Sequence, residues 1–95
     1  MKLTLNDKLV VIGDWAFRNC ISINNITIPK SVKAIGDYAF MDCKGLTTVN
    51  FSGTKAEWKN IKKGNGWNIA PSIGGIVISK IIKCTDGDIP EADHN

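Results

Sequence analysis

From residue 12 to residue 51 the apolar positions recur with a period of 23 residues. Ile12-Gly13-Asp14-Trp15-Ala16-Phe17-Arg18-Asn19-Cys20 returns as Ile35-Gly36-Asp37-Tyr38-Ala39-Phe40-Met41-Asp42-Cys43. Trp15/Tyr38, Ile23/Leu46, Ile26/Val49 and Ile28/Phe51 keep their character across the same offset. Self-similarity at about 20 to 50 residues marks a solenoid, in which each repeat supplies a strand and a return turn and buries its core against its neighbours.

The spacing within each copy predicts the strands. Ile23-x-x-Ile26-x-Ile28 and Leu46-x-x-Val49-x-Phe51 follow the L-x-x-L-x-L pattern of a leucine-rich repeat strand. Side chains alternate faces along a strand, so Ile26 and Ile28 point inward, and Thr27 and Asn50 are expected as exposed neighbours. Leu9-Val10-Val11 leads into the first coil, and Pro29 suits a strand exit, where its missing N–H does no harm. Gly13 and Gly36 are read as turn residues that need a permissive backbone, and Asp14 and Asp37 as turn residues bonding their own backbone amides. Phe17 and Phe40 are expected in the core.

After Phe51 the pattern changes. Thr54 and Glu57 have the T-x-x-E spacing of a capping box, which predicts a helix from about Lys55 to Lys63. Trp58 and Ile61 share one face of it, and Lys55, Lys59 and Lys62 another. Lys62 and Lys63 suit the negative end of the helix dipole, with Gly64 as terminator. Gly64-Asn65-Gly66 and Ile73-Gly74-Gly75 are turn signals around the β-branched stretches Ile76-Val77-Ile78 and Ile81-Ile82, which predict one or two closing strands. A solenoid needs its apolar end covered, and Trp58, Trp67 and the run from Ile76 to Ile82 are the candidates. From Thr85 onward the chain turns rich in Asp, Glu, Pro and Gly and reads as a fraying end apart from Ile89.

Composition narrows the function classes. With 95 residues, 43% hydrophobic and 22% charged, the chain is ordinary for one globular domain. No apolar run approaches the roughly 20 residues of a membrane span. Polar residues in Met1-Lys2-Leu3-Thr4-Leu5-Asn6-Asp7 interrupt what a secretory signal needs as a continuous apolar core. Cys20 and Cys43 occupy equivalent repeat positions and are read first as small buried hydrophobes, with a disulfide as the alternative. Cys84 stands apart. The cysteines lack C-x-x-C pairing and the single histidine, His94, sits near the end, so neither a structural metal nor another cofactor is expected.

The block Ile-Gly-Asp-aromatic-Ala-Phe-x-x-Cys, followed by Ile26-Thr27-Ile28-Pro29-x-Ser31-Val32, resembles the BspA-like leucine-rich repeat family of bacterial surface proteins. Gly53-Thr54-Lys55-Ala56-Glu57-Trp58, with Gly66-Trp67 and Cys84-Thr85-Asp86-Gly87, resembles that family's C-terminal closing segment. The resemblance implies a curved β-rich solenoid acting in adhesion, host-protein binding or aggregation at a cell surface, generally without catalysis. The expected fold is therefore a β-rich leucine-rich-repeat solenoid of about two 23-residue repeats (1–53), closed by a C-terminal cap with one short helix and one or two strands (54–89), and a flexible tail (90–95), in a single domain. Two repeats fall short of the three or so that stacking normally needs, which fits either the C-terminal piece of a longer protein or a stand-alone remnant.

Three function classes follow. A protein-interaction module would use the outward strand surface, where Asn24, Asn25 and Thr27 lie beside Thr47, Thr48 and Asn50. An anionic-surface or nucleic-acid binder would use Lys55, Lys59, Lys62 and Lys63 beside Trp58. The formal charge of +3 divides into +2 over residues 1–53, +5 over residues 54–84 and −4 over residues 85–95, so the cap is the basic part. An enzyme is not expected, because a triad from Cys84, His94 and an Asp has nothing to orient the His. Cys84-Thr85-Asp86-Gly87-Asp88 lacks the remaining positions of an EF-hand and reads as a turn. The sequons at Asn25 and Asn50 overlap predicted strands and receive no role. No protein partner is identified by the sequence, and a homo-oligomer through the open N-terminal end is expected, because unpaired strand edges invite association.

Overall fold

Ile26 and Ile28 are completely buried, as is Val49 and very nearly Phe51, while Asn25, Thr27, Thr48 and Asn50 between them stay half-exposed. This alternation makes the two strands that carry these residues half-buried sheet elements. The structure is a computed structural model describing residues 2–70, 76–77 and 81–90. In chain order its elements are β1 (Lys2–Thr4), β2 (Val11–Ile12), β3 (Asn25–Ile28), β4 (Ala34–Ile35), β5 (Thr48–Phe51), α1 (Lys55–Lys59), β6 (Lys62–Lys63), β7 (Ile69–Ala70), β8 (Ile76–Val77), β9 (Ile81–Cys84) and β10 (Gly87–Pro90).

Two parallel arrays carry the repeat. The larger sheet has the order β1-β3-β5-β9-β10, parallel except for the final β9–β10 hairpin, and the smaller has the order β2-β4-β6, all parallel. Asn25 lies opposite Thr48 and Ile12 opposite Ile35, which is the 23-residue period of the sequence made spatial. β1 extends it one step further back, since Lys2 pairs with Asn25 and Leu3 with Ile26. This first strand precedes the repeated block that begins at Ile12, and its trace in the sequence is the pair Leu3 and Leu5, spaced like Ile26 and Ile28.

The turn between the two arrays differs from the sequence expectation. The glycines before the aromatics do not adopt left-handed backbone; the aromatics do, with φ of 61° at Trp15 and 54° at Tyr38, and Gly66 holds the matching place in the third repeat at φ 60°. Gly36 is needed for proximity instead: a Cβ there would collide with the carboxylate and backbone of Asp14, and one at Gly64 with those of Asp37. The aspartates also reach across rather than within their own turns. Asp37 N–H donates to Asp14 Oδ1, and Asn65 N–H to Asp37 Oδ1, both at 2.8 Å.

The helix is shorter than the pattern suggested. Thr54 and Glu57 form the predicted capping box, but α1 stops at Lys59, and Lys62–Lys63 becomes β6 along the edge of β4. A strand wins here because the amides and carbonyls on that edge need a partner, and Lys62 N–H donates to Lys33 C=O at 3.0 Å. Gly64 consequently joins the Gly13 and Gly36 column instead of capping a helix.

Trp58 and Trp67 are buried and close the far end of the core. Trp58 meets Phe51 edge-on at 5.3 Å and Trp67 at 5.6 Å, and Trp67 meets Phe40 at 6.2 Å. Phe17 stacks parallel on Phe40 at 5.2 Å but is only half-buried; the expectation that both would be sealed holds for Phe40 alone, because among the described residues no repeat covers the outer face of Phe17. Residues 85–90, expected to fray, instead complete a hairpin. Thr85 N–H donates to Gly53 C=O, Lys55 N–H to Asp86 Oδ1, and Ile89 is buried opposite Ile82. The acidic residues face outward while Ile89 anchors the strand. The expected tail beyond Pro90, and Ile78 in the β-branched run, lie outside the described residues.

Candidate functional site

The outward face of the larger sheet consists of two rows fixed by register. One runs Lys2, Asn25, Thr48, Ile81, Pro90, and the other Thr4, Thr27, Asn50, Lys83, Asp88. All six strand-face residues singled out from the sequence come together: Thr27 pairs directly with Asn50 and Asn25 with Thr48, and Thr47 donates through both its N–H and its hydroxyl to Asn24 C=O. The centre of the strip is preorganised. Asn50 Nδ2 donates to Asn25 Oδ1 at 2.8 Å, diagonally across the strands, and more weakly to Ile26 C=O at 3.5 Å. Among the described residues no side-chain hydrogen bond engages the hydroxyls of Thr4, Thr27 or Thr48, so they remain available outward.

Sequence reasoning missed the flanks of this surface. Thr4 lies one period before Thr27 and was visible in principle. Ile81, Lys83, Asp88 and Pro90 carry no repeat signal and reach the face only because β9 continues the parallel array from β5. Ile81 is 40% exposed beside Thr48, and Lys83 faces Asp88 across the hairpin, a pairing of opposite charges that favours this register. The strip is thus uncharged at its centre and charged at its edges. With five strands about 4.8 Å apart it is about 20 Å wide, and its two rows, two residues apart along each strand, add only about 7 Å in the other direction, so its area falls well short of the roughly 800 Å² per partner of a standard interface.

The basic cluster does not assemble as one patch. Lys55 and Lys59 line a groove with Asp86 and Asp88, where the carboxylates oppose their charge, while Lys62 is on the edge of the smaller sheet. Lys63 turns inward. Its Nζ donates to Trp58 C=O at 2.8 Å and Ile61 C=O at 3.0 Å and lies 4.8 Å from the centre of the Trp58 ring; burial brings its pKa down to about 8. A second groove is lined by Asp7, Lys30, Lys33 and Glu57 among others, again of mixed sign. Glu57 titrates below its usual range, first because Thr54 N–H donates to it and then because Lys30 and Lys33 lie nearby.

Cys20, Cys43 and Cys84 are free thiols. Cys43 is buried, donates to Phe17 C=O at 2.7 Å, and is pushed up to about 11 chiefly by desolvation. A thiol held neutral in this way is a packing element and not a nucleophile.

The parallel arrays, the 23-residue register and the recurrent Gly-Asp-aromatic turn agree with the comparison with known families. The family model described as BspA type Leucine rich repeat region (6 copies) matches residues 1–64. The chain belongs to this family of BspA-type leucine-rich repeats. No curated protein and no solved structure matches it. BspA-type repeats point to a protein-interaction module and are generally non-enzymatic. Among the described residues no cluster of His, Cys, Asp and Glu is arranged to hold a metal ion, and no helix is long and apolar enough to cross a membrane.

Proposed function

We propose that this protein is a non-catalytic protein–protein interaction module, a short solenoid whose outward strand face reads an adhesion-type protein partner, in a cell-surface setting. The observation that carries the reading is the strip itself: Asn25, Thr27, Thr48 and Asn50 stand in register on one face, and the side-chain amides of Asn50 and Asn25 are hydrogen-bonded to each other. Preorganised polar groups lose little entropy on binding and favour a partner of complementary hydrogen-bonding pattern. Membership of a repeat family associated with protein interaction supports the same reading. The anionic-surface alternative has less support, because Lys63 is directed to Trp58 and Asp86 and Asp88 lie beside Lys55 and Lys59.

The test is affinity capture of extracellular and surface proteins on the immobilised chain and on a Thr27→Arg/Thr48→Arg variant confirmed to be folded. A protein retained by the native surface and lost from the variant, with modest salt dependence, is the expected result. Identical retention on both would remove the strand face from consideration, and retention of anionic polymers that collapses steeply with salt would favour the lysines.

A further inference from the structure

The N-terminal end of the two arrays differs from the rest in one systematic way: each of its groups has an equivalent, one period later, that is satisfied. Leu3, Leu5, Leu9, Phe17 and Cys20 are only partly buried, whereas Ile26, Ile28, Val32, Phe40 and Cys43 are sealed. The N–H of Asp37 and of Asn65 each donates to the aspartate carboxylate of the preceding repeat; no described carboxylate accepts from the N–H of Asp14. The carbonyls of Asp37, Ala39 and Met41 accept from Trp15, Phe17 and Asn19 of the repeat before them. Those of Asp14, Ala16 and Arg18 have no such donors among the described residues.

Gly13 supplies the independent observation. Gly36 and Gly64 are glycines because an aspartate of the preceding repeat presses on them, yet a Cβ at Gly13 would meet nothing within 4 Å. Its φ does not lie in the left-handed region either. Nothing among the described residues requires glycine at position 13, but a preceding aspartate would.

We infer that the N-terminal end is a receiving surface for one further repeat of the same kind, running in the same direction ahead of Lys2 and carrying an aspartate whose carboxylate seats over Gly13 and accepts from Asp14 N–H. A second copy of the chain does not meet these requirements. Each aspartate points toward the following repeat, so two N-terminal ends brought together offer no carboxylate to seat over Gly13 and accept from Asp14 N–H. Head-to-tail stacking would have to satisfy β6 and β10 together. β9 and β10 carry the larger sheet two strands beyond β5, about 10 Å, with no counterpart beside β6 among the described residues. The inference rests on the repeat architecture and is independent of whether the strand face binds a partner.

The experiment appends a copy of residues 2–24 directly ahead of Lys2. This keeps the period, because Lys2 is the register partner of Asn25. The added repeat is expected to slow exchange of the Asp14 amide by about tenfold or more and to raise the unfolding midpoint by roughly 5 °C. An Asp→Ala change in the appended copy, at the position equivalent to Asp14, should remove the Asp14 protection while leaving the chain folded. Gly13→Ala should leave the native-length chain within about 2 °C and abolish the gain in the extended one. Three results would each overturn the inference: an extended chain that does not fold or leaves Asp14 exchange unchanged, a Gly13→Ala change equally tolerated in both lengths, or a native-length dimer that already protects the Asp14 amide.

Discussion

The amine of Lys63 lies 4.8 Å from the centre of the Trp58 ring and donates to the Trp58 carbonyl. The cation thereby closes the end of the short helix and covers one of the two tryptophans that seal the core. Its pKa is about 8 in the fold against 10.5 unfolded, owing to burial. Between those values the unfolded chain binds more protons than the native one, so stability rises as pH increases through this window and is lower below pH 8, where the charged amine is held in a partly dry site. Because the group is half-exposed, screening reduces the effect to about 1 kcal/mol. Cys43 acts in the opposite sense above pH 9, since its thiol stays neutral in the fold up to about 11. Urea unfolding from pH 7.5 to 9 should therefore show a rising stability that Lys63→Met abolishes; a flat profile in the native chain would mean that the amine is solvated.

The stacked pair Phe17 and Phe40 should respond unequally. Phe40 is sealed between Phe17 and Trp67, so Phe40→Ala should cost about 3 to 5 kcal/mol, a large fraction of the stability of a domain this size. Phe17 keeps one face open, and Phe17→Ala should cost roughly half as much. Chemical denaturation of both variants checks the ratio, and equal losses would imply that Phe17 is covered in solution.

How much was legible in the sequence follows from what each residue signals locally. Ile26, Ile28, Val49 and Phe51 announced their strands, their register and their inward faces, because a parallel pairing at the repeat period leaves the alternation intact. Asn25, Thr27, Thr48 and Asn50, at the centre of the strip, follow from the same alternation. The end of α1 was not legible: Lys62 and Lys63 fit a helix terminus well, and what overrides that preference is the open edge of β4, a tertiary partner. β10 was hidden for a similar reason. Asp86, Gly87 and Asp88 have the composition of a frayed end, and only the placement of Ile89 against Ile82 turns them into a strand. The cross-repeat role of Asp14 was concealed because a turn aspartate looks the same whether it accepts from its own loop or from a neighbour.

That neighbouring role makes Asp37 the more informative aspartate to change. It accepts from Asn65 N–H in the third repeat and sits over Gly64. Asp37→Ala should cost about 1 to 2 kcal/mol, the range for a charge-assisted hydrogen bond whose donor is left exposed, and should accelerate exchange of the Asn65 amide. Gly36→Ala should be more damaging, at about 3 kcal/mol, because the new Cβ meets backbone that cannot move aside. Amide exchange resolved by residue distinguishes the two, since the first change acts on Asn65 and the second separates the first two repeats.

The left-handed positions give a prediction with the usual order of residues reversed. In regular structure alanine is favoured over glycine by roughly 0.5 to 1 kcal/mol. Asn19 is held at φ 59° and Tyr38 at φ 54°, where a Cβ costs roughly 1 to 2 kcal/mol. Asn19 tolerates this conformation through its short polar side chain, and Tyr38 is compensated by stacking on Trp15 at 4.8 Å. Replacement by alanine removes either compensation and keeps the Cβ, whereas glycine removes the Cβ as well. Asn19→Gly should therefore be more stable than Asn19→Ala, and Tyr38→Gly more stable than Tyr38→Ala, each by about 1 kcal/mol. Gly66, at the equivalent place in the third repeat, already makes that choice and brings its α-carbon close to the Tyr38 ring. Thermal unfolding of the four variants decides it: alanine proving the better residue at both positions would mean that the turns relax out of the left-handed region, and the ladder of stacked aromatics would then need another source of order.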